Sequence, residues 1–154
     1  MSRFTDKVTD FHKVFGSKYI GETPAVRDEY NRAKLILEEA MEFVAACGLD
    51  PIDLADRINS EKRITHNVWG AYIEQKKDLV EAVDALADLY YVTAGAFVAF
   101  GVKDDPVFDE VHRSNMTKFL NGKANFDEVG KVLKPKEWSP PDIAGELKKQ
   151  GWRE

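Results

Sequence analysis

The sequence predicts an all-α protein, a helical bundle of four to five main helices. Apolar residues recur three and four apart along most of its 154 residues, the spacing that gives a helix one buried face. No run alternates apolar with polar residues for long, as a half-buried strand would. Prolines just inside the starts and glycines just past the ends punctuate the periodic stretches, at Pro24, Gly48, Pro51, Gly101 and Pro106.

Phe4, Val8, Phe11 and Phe15 define a first helix over about 4–15, with Gly16 beyond it. A second is expected from Pro24, capped by Thr23, to a stop at Gly48. "DPIDLADRI" reads as a short helix capped by Asp50. The polar connection "INSEKRITHNVWG" leads into a long helix over about 71–100 that ends near Gly101. It is apolar almost all round, which marks a central element or one buried between subunits. "DDPVFDEVHRSNMTKFL" opens another helix with Asp105 as its expected cap. From about 121 to 154 the chain is lysine-rich and less regular, with a short last helix expected after Pro140-Pro141. Residues 1–154 together read as one domain.

Hydrophobic residues make up 44% and charged residues 32%, the balance of a soluble globular protein. A net charge of −5 offers no basic excess for nucleic acid. Cys47 is the only cysteine, and "MSRFTDKVTDFHKVF" holds no continuous apolar run. Both point to a reducing, cytoplasmic setting without a secretory leader. Residues 79–100 approach membrane-spanning length, yet each acid there would cost roughly 2.5–3.5 kcal/mol at a bilayer centre. No membrane partner is expected.

Those acids pose the central question. Glu81, Asp84 and Asp88 are the only charged residues between Leu79 and Phe100. At about 100° per residue they fall within an arc of about 60°. One helix earlier, "LILEEAMEF" places Glu38, Glu39 and Glu42 among Leu35, Ile36, Leu37, Met41 and Phe43. Two mostly apolar helices thus each carry a carboxylate stripe, and neither apolar stretch contains a lysine or arginine. If the stripes face each other, the repulsion calls for a counter-charge, because an uncompensated buried ion costs several kcal/mol. All-oxygen ligation suits a hard divalent cation such as Mg²⁺, Mn²⁺ or Ca²⁺. The alternative is that each stripe is a solvated helix face. A di-iron bundle would need repeated Glu-x-x-His pairs, and Asp109 with His112 is the single pair of comparable spacing.

"EEAME" followed by "EAVDALAD" resembles the all-α nucleoside triphosphate pyrophosphatases, which include the MazG-like enzymes, dimeric dUTPases and phosphoribosyl-ATP pyrophosphohydrolase. The signature there is Glu-Glu-x-x-Glu on one helix and Glu-x-x-Asp on the next. "DFHKVFG", "DLYYVTAGAF", "VFDEVHRSNMTKF" and "GKVLKPKEWSPPDI" extend the likeness to the MazG-like, phosphoribosyl-ATP pyrophosphohydrolase-like branch over most of the chain. The resemblance implies a four-helix core completed by assembly into a homodimer or homotetramer. It also implies Mg²⁺-dependent hydrolysis of a nucleoside triphosphate to monophosphate and pyrophosphate, with Mn²⁺ as a substitute. It makes Glu39 and Glu42 metal ligands and gives Glu38 the attacking water.

The second half of the signature departs from the family. Aligned on "ADLYYV" it falls on Ala85 through Asp88, so Asp88 is kept and the glutamate position is Ala85. By spacing alone, Glu81 and Asp84 satisfy the motif one turn earlier. The expectation is that Asp84 replaces the missing glutamate, with Glu81 serving a further metal or an outer water. A pyrophosphate leaving group needs cationic donors, and Arg113, Asn115 and Lys118 arrive together after the long helix. Asn115 and Lys118 match the family's phosphate-contacting positions, and Lys131 and Lys134 lie in its glycine-lysine segment. Phe11, Trp69, Tyr72 and Trp138 could stack a base, and analogy selects Phe11 with His12. The expected function is house-cleaning of dUTP or another non-standard or excess nucleotide. The alternatives are a phosphoribosyl-ATP pyrophosphohydrolase and a non-catalytic helical metal-binding partner.

Overall fold

The computed structural model describes residues 3–16, 20–60, 78–119, 123, 126–127 and 132–153. Among them are six α-helices: α1 (Arg3–Phe15), α2 (Glu29–Ala46), α3 (Pro51–Ser60), α4 (Leu79–Phe100), α5 (Asp104–Met116) and α6 (Ile143–Lys149). The only pairing of strand type among the described residues is an isolated antiparallel bridge between Phe126 and Val132. The all-α expectation therefore holds. Asn121-Gly122 is a hairpin signal that this expectation passes over, and both residues lie outside the described ones.

The chain divides into two compact units, residues 1–29 with 93–154, and residues 30–92. In the first, Val8 of α1 meets Ala94 and Val98 of α4, with Ile20 packed alongside. Thr5, Val8 and His12 fall within an arc of about 60° on α1, and that face is the buried one, at 1%, 1% and 6% exposure. The end of α4 is closed by a Schellman motif. Gly101, at φ 70°, donates to Val98 O and Val102 donates to Phe97 O.

Segment 20–28 lies against this end and is not helical, which corrects the expected start at Pro24. Its backbone is committed elsewhere: Gly21 N donates to Val98 O and Ala25 N to Phe100 O. Arg27 Nη1 donates to Thr23 O at 2.7 Å and to Phe100 O at 3.1 Å. Thr23 Oγ1 accepts from Arg27 at 3.4 Å and so caps nothing. Asp28 turns the chain with φ 53°, and α2 begins at Glu29.

α5 starts two residues earlier than expected, with Lys103 rather than Asp105 at the N-cap and no side-chain cap. Asp104 instead accepts from Thr5 Oγ1 at 3.0 Å. α6 is the short last helix expected after the Pro-Pro pair, and Asp142 caps it by accepting from Gly145 N.

In the second unit α2 ends in a further Schellman motif, with Gly48 N donating to Ala45 O and Leu49 N to Val44 O. Asp50 Oδ1 accepts from Ile52 N and Asp53 N to start α3. α4 opens at Leu79 rather than near 71, because Asp78 Oδ1 accepts from Val80 N and Glu81 N as an N-cap does. Asp78 N donates to Ala46 O, which brings the start of α4 to the end of α2.

Candidate active site

That bond fixes how the two acidic stripes meet. α2 and the first half of α4 lie in the same unit, and an open cleft of about 350 Å³ between them is lined by Glu42, Ala45, Ala46, Glu81, Asp84 and Ala85. One turn before Glu42 on α2, Glu39 is half-buried, and its Oε2 is closed off from solvent without a hydrogen-bond partner among the described residues. Burial, and then the carboxylates of Glu42, Asp88, Glu38 and Asp84, push the Glu39 carboxyl above its ordinary range. Carboxylates of the two stripes thus share one cleft.

They are less buried than their apolar flanks implied. Glu38, Glu42, Glu81, Asp84 and Asp88 are all exposed in the single chain, and Glu39 alone is half-buried. The reason is that the outer side of α4 is uncovered: Leu79 is 78% exposed and Val80 77%. The all-round apolar character of this helix thus has two origins, since Ala94, Val98 and Ala99 are buried while Leu79, Val80, Val83 and Leu86 of the first half are exposed.

Among the described residues no three acidic, imidazole or thiol groups already converge on one ion-sized position. The donors nevertheless suit a hard divalent cation. All are carboxylate oxygens, one of them a buried orphan. Ala85, which stands at the vacant glutamate position, is 5% exposed and lines the cleft, so no carboxylate competes there with Asp84.

Two features went unread in the sequence. Lys34 Nζ lies 3.3 Å from Glu38 Oε1, a cation one turn before the acidic run whose four-residue spacing could have shown it. Ala45 and Ala46 leave the open space of the cleft, and nothing in their spacing marks them.

The expected substrate residues divide. Asn115 and Lys118 are joined, Lys118 Nζ donating to Asn115 Oδ1 at 2.8 Å. Arg113 is committed elsewhere, because its guanidinium is bidentate on Glu110 at 2.7 and 2.8 Å and reaches Ser139 Oγ and Pro140 O. Lys134 Nζ sits 3.7 Å over the Trp138 ring, which engages its charge. Lys131, Trp69 and Tyr72 lie outside the described residues. Phe11 keeps 47% exposure and packs on Phe15 at 4.9 Å between ring centroids. His12, one residue on, turns into the interior with Thr5 and Val8, so the pair cannot both face a base from the surface of α1. Asp109 and His112 are exposed.

No curated protein sequence matches the chain. A family model does: the one described as phosphoribosyl-ATP pyrophosphohydrolase matches residues 8–115, well over half of the chain and the whole of both acidic stripes. With its helical fold and facing carboxylates, the chain belongs to the phosphoribosyl-ATP pyrophosphohydrolase family, the pyrophosphohydrolases of the MazG-like superfamily.

Proposed function

We propose that the chain is a cytoplasmic, divalent-cation-dependent nucleoside triphosphate pyrophosphohydrolase. It releases pyrophosphate and a monophosphate from dUTP or another non-standard or excess nucleotide. The observation that carries this reading is Glu39, whose buried Oε2 lacks a partner among four neighbouring carboxylates. Glu39, Glu42, Asp84 and Asp88 would hold Mg²⁺ or Mn²⁺, with Glu81 at the cleft's rim. Bound there, the cation would neutralise charge on the reacting phosphate oxygens. Glu38, in water and paired with Lys34, orients the attacking water and accepts its proton. Lys118 and Asn115 donate to the polyphosphate. Phe11, 47% exposed, is the aromatic candidate to stack on the base.

The exposed apolar residues Leu79, Val80, Val83 and Tyr90 of α4 support assembly as a homodimer or homotetramer. α4 is long and apolar enough to cross a membrane by length and composition. The burial of Ala94, Val98 and Ala99 favours a core helix instead. A monomer in light scattering at micromolar concentration would sink the assembly proposal.

The deciding assay is pyrophosphate release across deoxynucleoside and nucleoside triphosphates with Mg²⁺ or Mn²⁺, with phosphoribosyl-ATP included. The name of the matched family favours phosphoribosyl-ATP as the second reading, and preference for it in this panel would select that reading. Release from no substrate would leave a non-catalytic metal-binding protein.

A further inference from the structure

The family match ends at residue 115, and the chain beyond it returns along α5. Gln150 bridges the Lys103 backbone, donating to its O and accepting from its N at 2.6 Å. Asp142 N donates to Glu110 at 2.8 Å, and Ser139 meets the last turn of α5. This last contact is the densest. Ser114, 2% exposed, donates its hydroxyl to Ser139 O at 2.8 Å. Ser139 N donates to Thr117 Oγ1 at 3.4 Å, and Thr117 Oγ1 donates to Ser114 O at 2.7 Å. Arg113 reaches Ser139 Oγ at 3.0 Å and Pro140 O at 3.3 Å. These bonds bracket Asn115 on both sides, and Asn115 holds Lys118.

We propose that Ser139 and Pro140 form a clasp that positions Asn115 and Lys118 for the polyphosphate, with Ser114 and Arg113 as the positioning residues that fasten it. This rests on the role given to Asn115 and Lys118 under the proposed function. The ends of helices fray, and the carbonyls of the last turn of α5 are held by the turn that follows it, Thr117 N on Arg113 O and Ser114 O and Lys118 N on Asn115 O. Donors carried there lose freedom when a ligand orders them, which weakens binding. A clasp at residues 113, 114 and 117 removes that loss in advance. The bond at Gln150 fastens the same C-terminal segment to the opposite end of α5, away from the donors. It is therefore the natural control.

The test compares Ser114→Ala with Gln150→Ala in the full chain. The readouts are kcat and KM for the best triphosphate, melting temperature, and calorimetric affinity for inorganic tripolyphosphate. Ser114→Ala is expected to raise KM and weaken tripolyphosphate about five- to tenfold, the value of one ordinary hydrogen bond, with kcat unchanged. Gln150→Ala is expected to lower the melting temperature and leave KM and tripolyphosphate affinity at the wild-type values. Equal changes in both variants, or wild-type KM and affinity in Ser114→Ala, overturn the clasp. If Ser114→Ala does not fold, Arg113→Met, altered at an exposed side chain, carries the same expectation and the same refutation. A wild type that releases no pyrophosphate refutes the functional reading, and tripolyphosphate calorimetry then still decides the clasp.

Discussion

Replacing Glu39 by glutamine keeps the side chain's shape and removes one negative charge from a crowded place. Glu42, three residues on, has its Cβ about 5–6 Å away. Two unit charges at 6 Å repel by about 2.8 kcal/mol at an effective dielectric of 20 and about 0.7 kcal/mol in bulk water. Glu42 is exposed, so its share lies toward the lower figure. Asp88, Glu38 and Asp84 act in the same direction, each less strongly or no more strongly than its predecessor. The metal-free variant should gain about 1–2 kcal/mol, which for a chain of this size raises the melting temperature about 3–6 °C. The sign of the pH dependence follows. Glu39 holds its proton more tightly folded than unfolded, so ionising it costs stability as pH rises from the ordinary carboxylate range through its raised native value. The gap between variant and wild type should be full above that value and vanish below pH 4. With Mg²⁺ at ten times its Kd, the wild type should gain about 1.4 kcal/mol, and the variant should lose most of that gain together with pyrophosphate release. Thermal melts from pH 4 to 9 with and without Mg²⁺ measure all of this. A variant that melts lower without metal, or that keeps the Mg²⁺ shift and normal turnover, would refute the reasoning.

Asp84→Ala should weaken Mg²⁺ binding strongly and Glu81→Ala mildly by calorimetry, and a silent Asp84→Ala beside a dead Glu81→Ala would restore the register read by spacing. Glu110 is held down to about 2 by hydrogen bonds from Arg113 and from Asp142 N. Its contribution to stability is thus complete above the ordinary carboxylate value and fades as pH falls toward 2, so Glu110→Gln should flatten acid melting curves in that window. Gly21→Ala would set a Cβ 2.5 Å from Ala99 O and onto Gly101 N, both backbone. It should cost about 1–3 kcal/mol, seen as a lower melting temperature with pyrophosphate release at 25 °C unchanged.

The sequence made the helices legible because their periodicity and their glycine stops are local. Gly48 and Gly101 end α2 and α4 as their positions suggested. The start of α2 was not legible, since Pro24 and Thr23 are good local signals overruled by Arg27 and by bonds to Val98 and Phe100 far along the chain. The acidic stripes could be paired from charge and spacing. Their exposure could not, because it depends on whether anything covers Leu79, Val80 and Val83. Arg113 looked like a phosphate ligand by composition alone. The bonds that occupy it come from Glu110, Ser139 and Pro140, and the latter two lie in the stretch where periodicity fails.

The strap of residues 20–28 has a consequence for synthesis on the ribosome. Arg27 and its partner Phe100 are 73 residues apart. At about 5–20 residues per second, the strap emerges roughly 4–15 s before the helix end it closes. During that interval its amides and guanidinium have only water and the strap's own oxygens to bond. Glu22, Thr23, Arg27 and Asp28 make that wait tolerable, because a polar strap stays hydrated where an apolar one would seek other chains. Slowing translation near codons 98–101 should therefore prolong protease sensitivity around Arg27 in nascent chains, while leaving α1 and α2 to form on schedule.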